Sequence, residues 1–367
     1  MLPLRDRVVP LLCVFLGAPL AAEYLQAYLP FTGDPWASLI GVAFFAPLYG
    51  GAALLIRELA VRCGLGWTGT LLLAAAFGLA MPGLVDLAMF GEDRSDVAYW
   101  ADMREPTLIE PIGVSVSTTL SWTVGHVMMS VGAPLALLYT LAPRHRGRPM
   151  LGRIGIPLTA AAAALVALAV HRDGQAAYGY SLSAGQAGAV LAVVAVIGAP
   201  GVTRPGAPVR GAETGRGVPI AAVVILAVLL KVSIDLMPAT WTGVLGTVAV
   251  LIAAAAALRW ASTHRRWGPR EVGALGAGVV IGAILIGFLS PAPEGVSAVA
   301  KTAQSATLLC LALLVLAAVL TGRRLLPRCG VARCRSGRPR APGRAPDTAR
   351  PCSDAPANRC RTGRDRR

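Results

Sequence analysis

Five ionisable side chains stand inside apolar runs long enough to cross a bilayer: Glu23, Asp86, His126, Lys231 and Asp235. A charge held at that depth costs about 2.5 kcal/mol or more on insertion scales, so such groups are kept for binding, relay or pairing. Glu23, Asp86 and His126 carry the chemistry of a proton relay or a divalent-cation site. An imidazole exchanges protons near neutral pH, and carboxylates orient it or ligate a cation. Lys231 and Asp235 are four residues apart, so on one helix they share a face and neutralise each other. The competing reading leaves Glu23 and Asp86 wet near the interface, with His126 bonded to a neighbouring helix. No cofactor motif is present, the identity of any metal stays open, and no Ser/His/Asp constellation, phosphate-cradling glycine loop or HExxH helix occurs in the chain.

The elements that must position these groups are membrane helices. The chain of 367 residues is 55% hydrophobic, 6% aromatic and 14% charged, with the apolar residues in long uninterrupted runs. In lipid only a helix satisfies every backbone N–H and C=O of an open chain, and roughly 20 apolar residues cross the hydrocarbon. The pattern predicts an all-α polytopic transmembrane bundle of about ten spans: 8–29, 36–55, 68–90, 112–141, 154–170, 183–202, 218–237, 241–258, 272–289 and 296–320. The first, behind Arg5 and Arg7, is read as an uncleaved span rather than a signal peptide, because the charge alternation after it needs that crossing.

Arginine explains the net charge of +15 without nucleic acid. Of the 34 Lys and Arg residues, 29 fall before the first span, in alternate loops or in the tail; only Arg94, Arg104 and Arg172 fall in the opposite loops. This positive-inside pattern predicts a cell-membrane protein with both termini cytoplasmic. Three regions follow: a polar four-span unit (1–143), an apolar six-span unit (144–321) and a disordered Arg/Pro-rich cytoplasmic tail (322–367) whose arginines suit anionic lipid headgroups. Four tail cysteines on the reducing side, irregularly spaced and without histidine, argue against a disulfide framework or a zinc site.

Three features frame a polar cleft in the first unit. Pro82 and Gly83 break the third span before Asp86, freeing carbonyls that a neighbour must satisfy. The loop from Gly91 to Pro111 carries Glu92, Asp93, Asp96, Asp102, Glu105 and Glu110, and is expected to lid the cleft, with an interfacial helix dipping Val97, Tyr99, Trp100 and Met103 into headgroups. In the fourth span Thr118, Trp122, His126 and Ser130 recur every four residues, beside Ser115, Thr119 and Thr123, making a polar stripe that faces protein or water. In the ninth span Ala274, Gly278 and Gly282 form a small-residue seam for close helix approach.

Leu55, Ile56, Arg57, Glu58, Leu59 and Ala60, then Arg62, then Gly64, Leu65, Gly66 and Trp67, followed by an Ala/Leu-rich span, resemble a family of uncharacterised polytopic membrane proteins of high-GC bacteria. That family distantly resembles the CAAX-protease-like (CPBP) intramembrane enzymes. The resemblance, over about residues 45–140, implies a Glu pair on one helix and histidines on later ones. Met81 and Pro82 stand where the pair would be, and His126 alone matches a later histidine, so it implies a non-catalytic relative. Three functions remain in view: a membrane protein holding a small ligand or ion in an outward polar cleft, a proton- or ion-coupled secondary transporter, and a CAAX-protease-like metalloenzyme using Glu23, Asp86 and His126.

Overall fold

The computed structural model describes residues 2–94, 97, 99–203 and 216–322, and these belong to one compact, almost wholly helical unit. The expected disordered tail and its arginines, residues 204–215, and Asp96 of the acidic loop lie outside the described residues. Nine helices among the described residues are long and apolar enough to cross a membrane: α1 (Leu4–Tyr24), α2 (Pro35–Cys63), α3 (Gly66–Val85), α5 (Val116–Leu141), α6 (Gly155–Tyr178), α7 (Ala184–Thr203), α9 (Trp241–His264), α10 (Pro269–Leu289) and α11 (Ala298–Thr321). A tenth, α8 (Ile220–Asp235), has 16 residues, about 24 Å at 1.5 Å per residue, and so falls short of a full crossing by itself. The helix α4 (Trp100–Arg104) and a two-stranded hairpin, β1 (Leu108–Ile109) with β2 (Val114–Ser115), lie between α3 and α5.

The two sequence halves interlock in this unit. Helix α10 is its centre, packed on α5 from the first half and on α8 and α11 from the second. Glycines permit that density. A Cβ at Gly278 would sit 2.6 Å from Ala227 Cβ on α8, and one at Gly276 would sit 2.9 Å from Ala136 Cβ on α5. The seam predicted from Ala274, Gly278 and Gly282 is thus one face of a helix whose other small residues serve a second partner. In the same way α3 crosses α7 where a Cβ on Gly69 would meet the Gly201 carbonyl at 2.7 Å.

Four helices of the first half share a local irregularity. Wide π-helical turns occupy Leu20–Tyr24 of α1, Ala46–Gly50 of α2, Met81–Val85 of α3 and His126–Gly132 of α5. Each has a proline in it or within two residues: Pro19, Pro47, Pro82 and Pro134. Proline has no N–H for the carbonyl one turn back and crowds it, so slipping to the wider turn is the local response. Two non-glycine residues with left-handed backbone follow closely, Ala27 at φ 52° and Leu87 at φ 63°, where the chain leaves α1 and α3. Such costly conformations cluster at functional sites.

At the opposite end of the bundle, Arg57 and Glu58 do not stand at a wet helix edge. Arg57 is 0% and Glu58 2% exposed, because the loop after α5 folds back over them. Arg57 pairs with Glu58 at 3.0 Å and donates to the carbonyls of His145 at 2.5 Å and Arg148 at 3.0 Å. Glu58 accepts from the Met150 amide at 2.5 Å and from Arg62 at 3.2 Å, and Arg62 reaches the Leu151 carbonyl at 2.9 Å. His145 Nε2 donates to the Asp6 carbonyl at 3.0 Å, adding the start of α1. The residues behind the family resemblance therefore form a clasp whose charges stay in a dry place only because each is paired.

Candidate functional site

The wide turns converge on Glu23. Its side chain is buried, and its two carboxylate oxygens accept hydrogen bonds from the hydroxyls of Tyr28 and Tyr49. Tyr49 belongs to the wide turn of α2 and stacks on the His126 imidazole, with ring centroids 5.7 Å apart and planes 21° apart. Phe77 of α3 meets the same imidazole edge-on at 5.7 Å. His126 Nδ1 shares a hydrogen bond with Ser130 Oγ at 2.9 Å, and a Cβ at Gly78 would lie 3.0 Å from His126 Cβ, so α3 presses this ring toward Tyr49. Glu23 and His126, far apart in sequence, thus belong to one cluster, joined through an aromatic hydroxyl rather than directly.

Asp86 stands at the unwound end of α3, within electrostatic reach of Glu23 and Arg94. Its carboxylate accepts from the Ala88 amide at 2.9 Å, a local turn that fixes it just past the break. The carbonyls freed by that break find the neighbour they need: His171 of α6 donates from Nδ1 to the Leu84 carbonyl at 2.8 Å. The Asp86 carbonyl packs against Gly174, where a Cβ would be 2.5 Å away. This contact exists because α6 continues two turns beyond Val170, where the sequence reading ended the fifth span.

The acidic loop is tied down by its aromatic residues. Trp100 was expected to dip outward into headgroups; it is instead 5% exposed, stacked on Trp122 of α5 at 6.0 Å and tilted against Tyr178 of α6 at 5.5 Å. Tyr99, at 55% exposure, takes the outward position. Arg104 is buried, donates to the Gly113 carbonyl at 2.7 Å, and burial pushes its guanidinium below its ordinary pKa, against the pull of Glu92 and Glu105. Thr107 and Ser115 share a hydrogen bond at 2.9 Å across the hairpin, which seats β2 at the start of α5. The polar stripe of α5 faces protein: Trp122 meets the loop and His126 meets Tyr49, while the Thr119 and Thr123 hydroxyls are buried with no hydrogen-bond partner among the described residues.

Lys231 and Asp235 form a separate pair. Lys231 Nζ donates to both Asp235 oxygens at 2.5 Å, and Gln26, three residues past Glu23, donates to Asp235 at 2.8 Å. Lys301, buried on α11, donates to the Gly287 carbonyl and, at 2.8 Å, to that of Ser290, closing the end of α10. Both lysines are thus neutralised or capped inside the apolar half.

Of the five predicted site residues, the structure joins Glu23 to His126 through Tyr49, holds Asp86 at the break of α3, and pairs Lys231 with Asp235. Sequence reasoning missed Tyr28, Tyr49, Tyr178 and Arg94. Only the proline beside each wide turn signals in the sequence where side chains turn inward. Among the described residues no group of three or more His, Cys, Asp and Glu is placed to hold a metal ion, and both oxygens of Glu23 are engaged by tyrosines. Met81, 1% exposed, and Pro82 are buried in the wide turn of α3. Comparison of the chain with known family models, with curated proteins and with solved structures finds no match.

Proposed function

We propose that this is a multi-pass cell-membrane protein whose first four crossings hold a small cation, the proton included, in a polar site opening outward beneath the acidic loop. The observation that carries the reading is the convergence of π-helical turns from α1, α2 and α5 around Glu23, Tyr49 and His126, with Asp86 at the break of α3 nearby. Wide turns direct side chains and free carbonyls inward at a cost in helix regularity that ordinary packing does not require. Two carboxylates within each other's field favour a shared cation or proton over two bare charges. Both termini are cytoplasmic, the bilayer is the main partner, and the arginine tail meets anionic headgroups; nucleic acid has no part.

Secondary transport is the second reading, supported by the broken end of α3 and by Leu87 in left-handed backbone beside Asp86, since transporters place binding sites at interrupted helices. A degenerate CAAX-protease-like enzyme stands behind both.

Purified full-length protein in detergent provides the test, through its thermal midpoint with sodium, potassium or ammonium chloride at equal ionic strength, from pH 5 to pH 8. The wild type is expected to respond to pH or to one cation in a way that Glu23→Gln and Asp86→Asn both lose. Identical profiles for all three proteins would end the proposal. Uptake into proteoliposomes driven by a proton or sodium gradient, lost in Asp86→Asn, would raise transport above simple binding.

A further inference from the structure

In the loop after α3, two aromatic rings flank the Arg94 side chain. The Arg94 guanidinium lies 5.9 Å from the Trp100 ring centre and 5.4 Å from that of Tyr178, and its Nη1 donates to the Tyr178 hydroxyl at 3.0 Å. Each ring is held by its own neighbours. Trp100 is backed by Trp122, and its indole N–H is fixed to the Gly91 carbonyl at 3.2 Å. Gly91 lies flat against Tyr178, where a Cβ would come within 2.3 Å of the ring. Tyr178 is the last residue of α6, one turn beyond Gly174, which packs on the Asp86 backbone; the Asp86 carboxylate is in turn within electrostatic reach of Arg94.

Paired aromatic faces are the chemistry that recognises guanidinium and quaternary ammonium groups, because the ring quadrupole favours a weakly hydrated cation.

We infer that this cage is the outer binding position for an organic cation, a guanidinium or alkylammonium compound, and that Arg94 is its tethered occupant, displaced when the ligand arrives. The inference deepens the cation-site reading and rests on it for the role of Asp86. Tethering gives Arg94 a high effective concentration, so an external ion competes poorly against the intact chain and far better once the guanidinium is removed.

The experiment uses full-length protein in detergent with Arg94→Ala. Its probes are tetramethylammonium chloride and millimolar guanidinium chloride, with sodium chloride as the ionic-strength control. Tryptophan fluorescence and the thermal midpoint are read together. Arg94→Ala is expected to show a saturable fluorescence change and a raised midpoint with either organic cation, at concentrations about tenfold lower than the wild type needs. The fluorescence signal should vanish in Arg94→Ala combined with Trp100→Leu. A folded Arg94→Ala protein that responds to the organic cations no differently from sodium would overturn the inference. If Arg94→Ala does not fold, Arg94→Gln is put to the same decision. Retained tetramethylammonium binding together with no Glu23- or Asp86-dependent response would retire the inner site alone, and the converse would retire the cage alone.

Discussion

At the scale of the residue, burial decides what each titratable group is allowed to do. His145 is 1% exposed, in the turn after α5, with Nε2 bonded to the Asp6 carbonyl and its own carbonyl taken by Arg57. Burial lowers its pKa, and the hydrogen bond it donates to the Asp6 carbonyl and the Asp6 charge only partly oppose this. The unfolded chain therefore takes up a proton first on acidification, so the stability linked to His145 is complete above about pH 6.5 and is lost as pH falls below it. A thermal midpoint that drops from pH 7 to pH 5 in the wild type, and drops less in His145→Gln, is expected. Equal slopes in the two proteins would show that the clasp does not titrate. Glu23 and Glu58 differ in their partners: the first accepts from two tyrosine hydroxyls, whereas two arginines pair with the second.

At the scale of the element, small residues and prolines divide the labour. Small residues let helices meet: Gly278 admits α8, with the Val224 carbonyl 2.7 Å and Ala227 Cβ 2.6 Å from where its own Cβ would be. Gly278→Leu should force α8 away from α10, an overpacking cost of about 1–3 kcal/mol or more, and lower the thermal midpoint in detergent. An unchanged midpoint would mean that this crossing is not rigid. Prolines do the reverse, spending helix regularity to turn side chains inward, and they do so in α1, α2, α3 and α5, the helices that build the site. The periodicity of the α5 stripe was legible because four-residue spacing survives a single wide turn. The extension of α6 to Tyr178 was not, since His171, Arg172 and Asp173 look like a loop until the unwound end of α3 gives His171 a carbonyl to bond.

At the scale of the whole molecule, the proposed arrangement requires the acidic loop and the clasp on opposite faces of the membrane. Single cysteines introduced at Asp93 and at Arg148, in a background lacking all seven native cysteines, should label from outside the cell and only after permeabilisation, respectively. Labelling of both from one side would remove the outward mouth and the cage with it. The described helices form one unit in which α10 joins the polar and apolar halves, so the small-residue half is the frame against which the site helices lean.

The sequence alone determined that the chain is a helical membrane bundle. That class follows from run length, backbone hydrogen bonding and the sorting of arginine, all of which are local or additive along the chain. It also marked the ionisable residues that are too costly to bury without purpose. Only the tertiary structure decided which of them meet. Glu23 reaches His126 through Tyr49, Arg94 lies against Trp100 and Tyr178, and Lys231 pairs with Asp235. These meetings depend on crossing angles and on one-residue slips at prolines, which rotate a side chain by a large fraction of a turn and leave no trace in hydrophobic period.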